Sequence, residues 1–95
     1  MSSNPSSAAE SYKLHIKESA AKELESIGTK KDRERIVTRI NALAAEPRPH
    51  GSEKLEGEEN KYRVRQGNYR ILYSVDDRNR IVAITKIGDR KEGYR

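Results

Sequence analysis

Two alternating stretches, KYRVRQ (61–66) and YRILYSV (69–75), are separated by Gly67-Asn68 alone. Alternation of apolar and polar residues is the period of a strand, and a two-residue connection containing Gly is the signal of a tight hairpin. So short a loop leaves one register. Gln66 stands opposite Tyr69, Arg65 opposite Arg70, Val64 opposite Ile71, Arg63 opposite Leu72 and Tyr62 opposite Tyr73. The pleat then sorts the side chains: Tyr62, Val64, Tyr69, Ile71, Tyr73 and Val75 take one face. Arg63, Arg65 and Arg70 take the other, with Leu72 between them. Like charges set directly opposite are unfavourable, by up to about 1 kcal/mol per pair. A sequence that keeps them there calls for an explanation.

The rest of the chain supplies what the apolar face of the hairpin can pack against. SYKLHI sets Tyr12, Leu14 and Ile16 against Lys13, His15 and Lys17, which predicts a first strand. ESAAKELESIG carries Ala20, Leu24 and Ile27 at helical spacing, and Gly28 is placed to end that helix in a left-handed conformation. A second helix is expected from about Lys31 to Ala45, with Ile36, Ile40, Leu43 and Ala44 as its stripe and Val37 beside it. Proline in EPRP stops it. The short junction makes the two helices a hairpin, each with one apolar stripe. RPHGSEKLEGEEN reads as a loop rich in turn formers and acid, and DDRN as a further turn. RIVAITKI is apolar on both sides, which predicts a strand that is central or buried on both faces. The expected class is α+β: an N-terminal strand, then a helical hairpin packed on one face of a small, mainly antiparallel sheet.

At 95 residues the chain is expected to form one domain, 11–95, preceded by a disordered leader, 1–10. That leader has neither the basic start nor the apolar stretch of a signal peptide. No apolar run approaches the roughly 20 residues needed to cross a bilayer, so no membrane partner is expected. With no cysteine, there is no disulfide framework and no Cys-based nucleophile or metal site, which fits a reducing, cytoplasmic setting. His15 and His50 are far apart in sequence and are not assigned to a site. No metal and no cofactor is expected.

Charge is distributed unevenly. Residues 1–60 hold ten Lys/Arg against eleven Asp/Glu, whereas residues 61–95 hold ten against four. All of the net +5 charge therefore comes from the arginine-rich end, which points to a polyanionic partner, nucleic acid first and an acidic protein second. A single arginine on a strand face is usually solvated, its stem covering apolar surface. Three on one patch suit an anion better, because each planar fork can donate two hydrogen bonds to a phosphate. Lys61, at the start of the same strand, joins Arg63, Arg65 and Arg70 as a phosphate-binding candidate. Arg90 and Tyr94 are further candidates near the chain end.

The combination of Lys54-Leu55…Gly57, YRVRQGNYRILY, and IGDR followed by a C-terminal tyrosine resembles the RelE branch of the RelE/ParE toxin superfamily. The resemblance runs from Tyr12 to Arg95. It implies the toxin of a type II toxin–antitoxin pair: a metal-independent endoribonuclease that cuts messenger RNA in the ribosomal A site. Its partners would be the ribosome, the message and a cognate antitoxin, acidic and partly disordered when free. Carried over position by position, the family's site falls on Arg63, Arg65, Arg70, Arg90 and Tyr94. Two positions depart from the pattern. Some members of the family have lysines where this chain has Arg63 and Arg65, and Asp89 stands where a basic residue or histidine is common. The implied reaction is attack of the 2′-OH on the adjacent phosphate, giving a 2′,3′-cyclic phosphate and a 5′-OH. Arginine is a poor base near neutrality, so Tyr94 is the candidate base, with stacking on a splayed RNA base as its rival role. Two alternatives stay open: a ParE-like toxin that binds and inhibits DNA gyrase without nuclease chemistry, and a binding module whose chemistry has been lost.

Overall fold

The hairpin forms in the register set by its two-residue loop. A computed structural model describes residues 11–89, and in it strand β3 (Lys61–Gln66) pairs antiparallel with β4 (Tyr69–Asp76) through Arg65↔Arg70, Val64↔Ile71, Arg63↔Leu72 and Tyr62↔Tyr73. Gly67 has φ 61°, the positive angle that the first central position of a type II′ turn requires. The expected leader, Arg90 and Tyr94 lie outside the described residues.

Around this hairpin the chain adds β1 (Lys13–Ile16), helix α1 (Glu18–Glu25), helix α2 (Lys30–Ala45), β2 (Glu53–Lys54) and β5 (Ile81–Asp89). The sheet order is β1-β5-β4-β3-β2; β1 lies parallel to β5, and the other neighbours are antiparallel. Both helices pack on one face. Ala20, Ile27, Ile36, Ile40 and Leu43 meet Val64, Ile71, Tyr73, Val75, Val82, Ile84 and Ile87 in a single core. The apolar stripes and the tyrosine face are therefore where the periodicity puts them. Val37, set beside the stripe, is 40% exposed. The buried Tyr73 keeps its hydroxyl satisfied by donating to the Pro47 carbonyl at 2.7 Å.

Two local expectations are corrected and a third is narrowed. Gly28 does not cap α1 in a left-handed conformation. The helix ends at Glu25 with Ser26 still right-handed, and Arg33 of α2 donates to the Ile27 carbonyl at 2.5 Å. An arginine from the neighbouring helix thus takes the carbonyl just past the helix end, and the glycine is not needed for it. The stretch after α2 is not all loop, because Glu53–Lys54 pairs with Tyr62–Arg63. Finally, of the two readings offered for β5 the central one holds: the strand is interior but not buried on both faces. Val82 and Ile84 are buried, then a bulge inserts Thr85 between the pairs Tyr73↔Ile84 and Leu72↔Lys86, and Ile87 resumes the buried side. One extra residue changes the phase of the alternation, so a one-faced strand reads as apolar on both sides.

The edge left by short β1 is closed by a side chain. Beyond Ile16 no strand among the described residues covers β5, and Glu23 of α1 accepts there from the Ile87 backbone N–H at 2.8 Å and from Lys86 Nζ at 3.0 Å. An open ladder edge invites pairing with another chain; here a carboxylate occupies part of it.

Candidate functional site

The face of the sheet turned away from the helices has no fully buried side chain among the described residues. On β3 it presents Lys61, Arg63 and Arg65, and on β4 Arg70 and Leu72, as the pairing register requires. Gln66 and Tyr69 flank the two-residue loop, so Arg65 and Arg70 form the next pair. That is the closer, non-hydrogen-bonded kind, with Cα atoms about 4.5 Å apart. Arg63 and Arg70 are half-buried along their stems and Arg65 is exposed. Beyond Arg70 the neighbouring position on β5 is Gly88, which adds no side chain over the guanidinium. The sheet therefore brings together Arg63, Arg65 and Arg70, with Lys61 at the start of the same row.

Asp89 pairs with Tyr69 and so belongs to the helix side, away from the arginines.

One residue of this face is not visible in the sequence pattern. Glu53 is the cross-strand partner of Arg63 on β2, and its Oε1 accepts from Arg63 Nε at 3.1 Å and from Arg63 Nη2. The carboxyl of Glu53 is held below its ordinary range, first by the hydrogen bond from Arg63, then by that residue's charge, with smaller contributions from Arg65 and Arg70. The negative charge thus sits in the field of all three arginines. A two-residue strand is too short to show a period, which is why the sequence did not reveal it. Lys61 pairs more loosely with Glu58, at 3.7 Å.

The histidines take no part. His15 is exposed on β1 opposite Ala83, three strands from Lys61, and His50 is exposed in the turn after α2. Among the described residues no group of three or more His, Asp or Glu is placed to hold a metal ion.

A second polar cluster lies at the other end of the hairpin. Asp77, in the β4–β5 turn, accepts from Tyr12 Oη at 2.6 Å and from both terminal nitrogens of Arg48, at 3.3 and 2.6 Å. Arg48 also donates Nε to Tyr62 Oη at 2.9 Å and lies over that ring. Tyr62 in turn stacks on Tyr73, with centroids 5.8 Å apart. The guanidinium of Arg48 holds the Asp77 carboxyl below its usual range, and Tyr12 adds to the effect. This cluster ties the start of β1, the loop after α2 and the β4–β5 turn together.

A helical hairpin on one face of such a sheet, with an arginine row on the other, invites comparison with known toxins. The family model described as the ParE toxin of the type II toxin–antitoxin system parDE matches residues 14–94. The chain belongs to this family, within the RelE/ParE toxin superfamily. Solved structures agree. An archaeal RelE from Pyrococcus horikoshii OT3, crystallised with RelB, is 32% identical, with a TM-score of 0.75 over 84% of this chain and 96% of that one. The isolated E. coli RelE toxin is 28% identical, with a TM-score of 0.72 over 82% of this chain and 83% of that one. The toxin of the intact E. coli RelBE complex gives 28% and 0.72, over 82% and 95%. A search of curated proteins returns no match. The protein is thus a type II toxin, and the α+β fold expected from its sequence is that of the RelE structures.

Proposed function

We propose that this toxin is an mRNA interferase: a metal-independent endoribonuclease that cleaves messenger RNA in the ribosomal A site and so inhibits translation. The observation that carries the proposal is the convergence of Arg63, Arg65 and Arg70 on the helix-free face. In the proposed reaction the ribose 2′-OH attacks the adjacent phosphorus, and the bond to the 5′-oxygen breaks. Negative charge accumulates on the phosphorane-like transition state. Preorganised cationic donors aimed at such charge are worth about 3 kcal/mol apiece. Arg63, Arg65 and Arg70 have that role, and Lys61 holds the flanking backbone. Tyr94, as its phenolate, would accept the 2′-OH proton, and Arg90 would donate a hydrogen bond to the leaving 5′-oxygen, which takes its proton from water to become the 5′-OH. The likeness to RelE toxins supports this assignment, as does the basic balance after residue 60. RelE relatives occur in complexes with RelB, which supports a cognate antitoxin here: acidic where it meets the basic half, partly disordered when free, and sharing the cytoplasm with the toxin.

The ParE description of the matching family favours a second reading, in which the toxin binds and inhibits DNA gyrase. One experiment separates the two. A defined message is translated with and without the toxin, its RNA ends are mapped, and gyrase supercoiling is assayed alongside. Cleavage of translating message, with free message intact and EDTA without effect once ribosome integrity is controlled, is the expected result. Intact message together with inhibited gyrase would transfer the chain to the second class.

A further inference from the structure

We propose that the Glu53 carboxylate is an internal stand-in for an RNA phosphate: it occupies Arg63 in the free toxin and must be displaced before a phosphodiester engages the arginine face. The inference rests on the RNA-cleaving reading and deepens it, because it says how weakly bound anions and free RNA are kept off the site.

The geometry points to competition rather than to a structural tie. A carboxylate and a phosphodiester offer a guanidinium the same thing, negative oxygens matched to its planar fork. Arg63 already spends Nε and Nη2 on a single oxygen of Glu53. A phosphate that approaches Arg63 along that edge meets an anion in its place. The backbone puts it there, since β2 is only Glu53–Lys54 and its register sets Glu53 beside Arg63. The carboxylate also senses Arg65 and Arg70, so it lowers the attraction of the whole patch for other anions.

The pair is also built to open. The Glu53 side chain is 57% exposed, against 28% for Arg63, so water replaces the lost hydrogen bonds when the carboxylate swings out. Exposed ion pairs are weakly held for this reason. By contrast, Asp77 is fixed by Tyr12 and Arg48 from two other segments of the chain. A phosphate positioned by other contacts, and delivered with its neighbours along an RNA strand, can displace Glu53. A lone anion gains little by doing so.

The test compares the full-length toxin with Glu53→Gln and Glu59→Gln. Each variant removes one negative charge, but Glu59 is exposed in the loop before β3 and outside the arginine row. The probe is a short single-stranded RNA with 2′-O-methyl riboses, which cannot be cleaved, and binding is followed by fluorescence anisotropy at low and high salt. Glu53→Gln is expected to bind about three- to five-fold more tightly than both the parent and Glu59→Gln at low salt, with the difference shrinking at high salt. Equal binding by the two variants overturns the proposal while leaving the RNA reading in place. Weaker binding by Glu53→Gln also overturns it, since Glu53 would then be holding Arg63 in its binding pose. No binding by any of the three at low salt also overturns this inference, since the arginine face would then take no phosphodiester even without Glu53, and it leaves the RNA reading to the ribosome cleavage assay.

Discussion

At the scale of the residue, the question is how three arginines come to share one small patch. The backbone gives no escape, because Arg65 and Arg70 are direct partners and Arg63 is the next residue along on the same face. Glu53 supplies part of the relief, and the exposed position of Arg65 supplies more through solvent screening. Under the proposed function, the remaining repulsion is what a bound phosphate would relieve. Replacing Arg65 by Gln removes one like-charged partner while keeping a similar stem. The variant is expected to be as stable as the parent, or more so by about 0.5 kcal/mol at low salt, with the gain fading as salt rises. Cleavage of translating message should fall at least tenfold, because a transition-state contact is lost. Denaturant melts at two salt concentrations, paired with the ribosome assay, give both answers. A destabilised Arg65→Gln that still cleaves normally would make Arg65 a structural residue of a solvated face.

Among elements, the hairpin decides the site, and its turn decides the hairpin. Gly67 has a φ of 61°, and a Cβ built there would meet nothing within 4 Å. A larger side chain therefore has room, and its whole penalty is conformational. Gly67→Val should lose about 1–2 kcal/mol in urea unfolding, the usual cost of a left-handed residue with a Cβ. Gly67→Asn should lose less, since asparagine visits that region more readily. Similar losses for the two would mean that the turn had rearranged instead of bearing the strain. The same element shows how far local sequence reaches. The β3–β4 register was legible because two residues leave no freedom in closing the loop. The β4–β5 register was not, since the bulge at Thr85 answers to packing: with it, Ile84 and Ile87 both enter the core.

Over the whole molecule, segments distant in sequence are held by the Tyr12–Arg48–Asp77 cluster, whose members precede β1, follow α2 and follow β4. Its linkage to pH has a definite sign. The Asp77 carboxyl titrates below its unfolded value, mainly through its hydrogen bond from Arg48. Its contribution to stability is therefore fully present above the unfolded carboxylate range and is lost as pH falls through the lower, folded value. Asp76 and Glu53 are depressed as well and add to the same acid slope. Asp77→Asn should melt lower at pH 7 and show a shallower fall in melting temperature toward acid, keeping the share that belongs to the other two. Parallel melts of parent and variant from neutral pH down to about 3 check this, and curves of identical slope would show that the cluster contributes nothing.

Sequence alone determined what depends on neighbours along the chain. The two helical stripes, the tyrosine face, the opposed Arg65 and Arg70, and the α+β class all follow from period, turn chemistry and proline, which act within a few residues. What only tertiary structure decided are contacts between segments that no local period connects. The parallel pairing of β1 with β5 joins strands some 65 residues apart. Arg33, not Gly28, serves the end of α1, because α2 folds back against it. Glu53 enters the arginine row because a strand of two residues, too short to announce itself, reaches the edge of β3. The arginine row that carries the proposed anion site was therefore legible in the sequence, whereas the carboxylate beside it became visible only once the sheet was assembled.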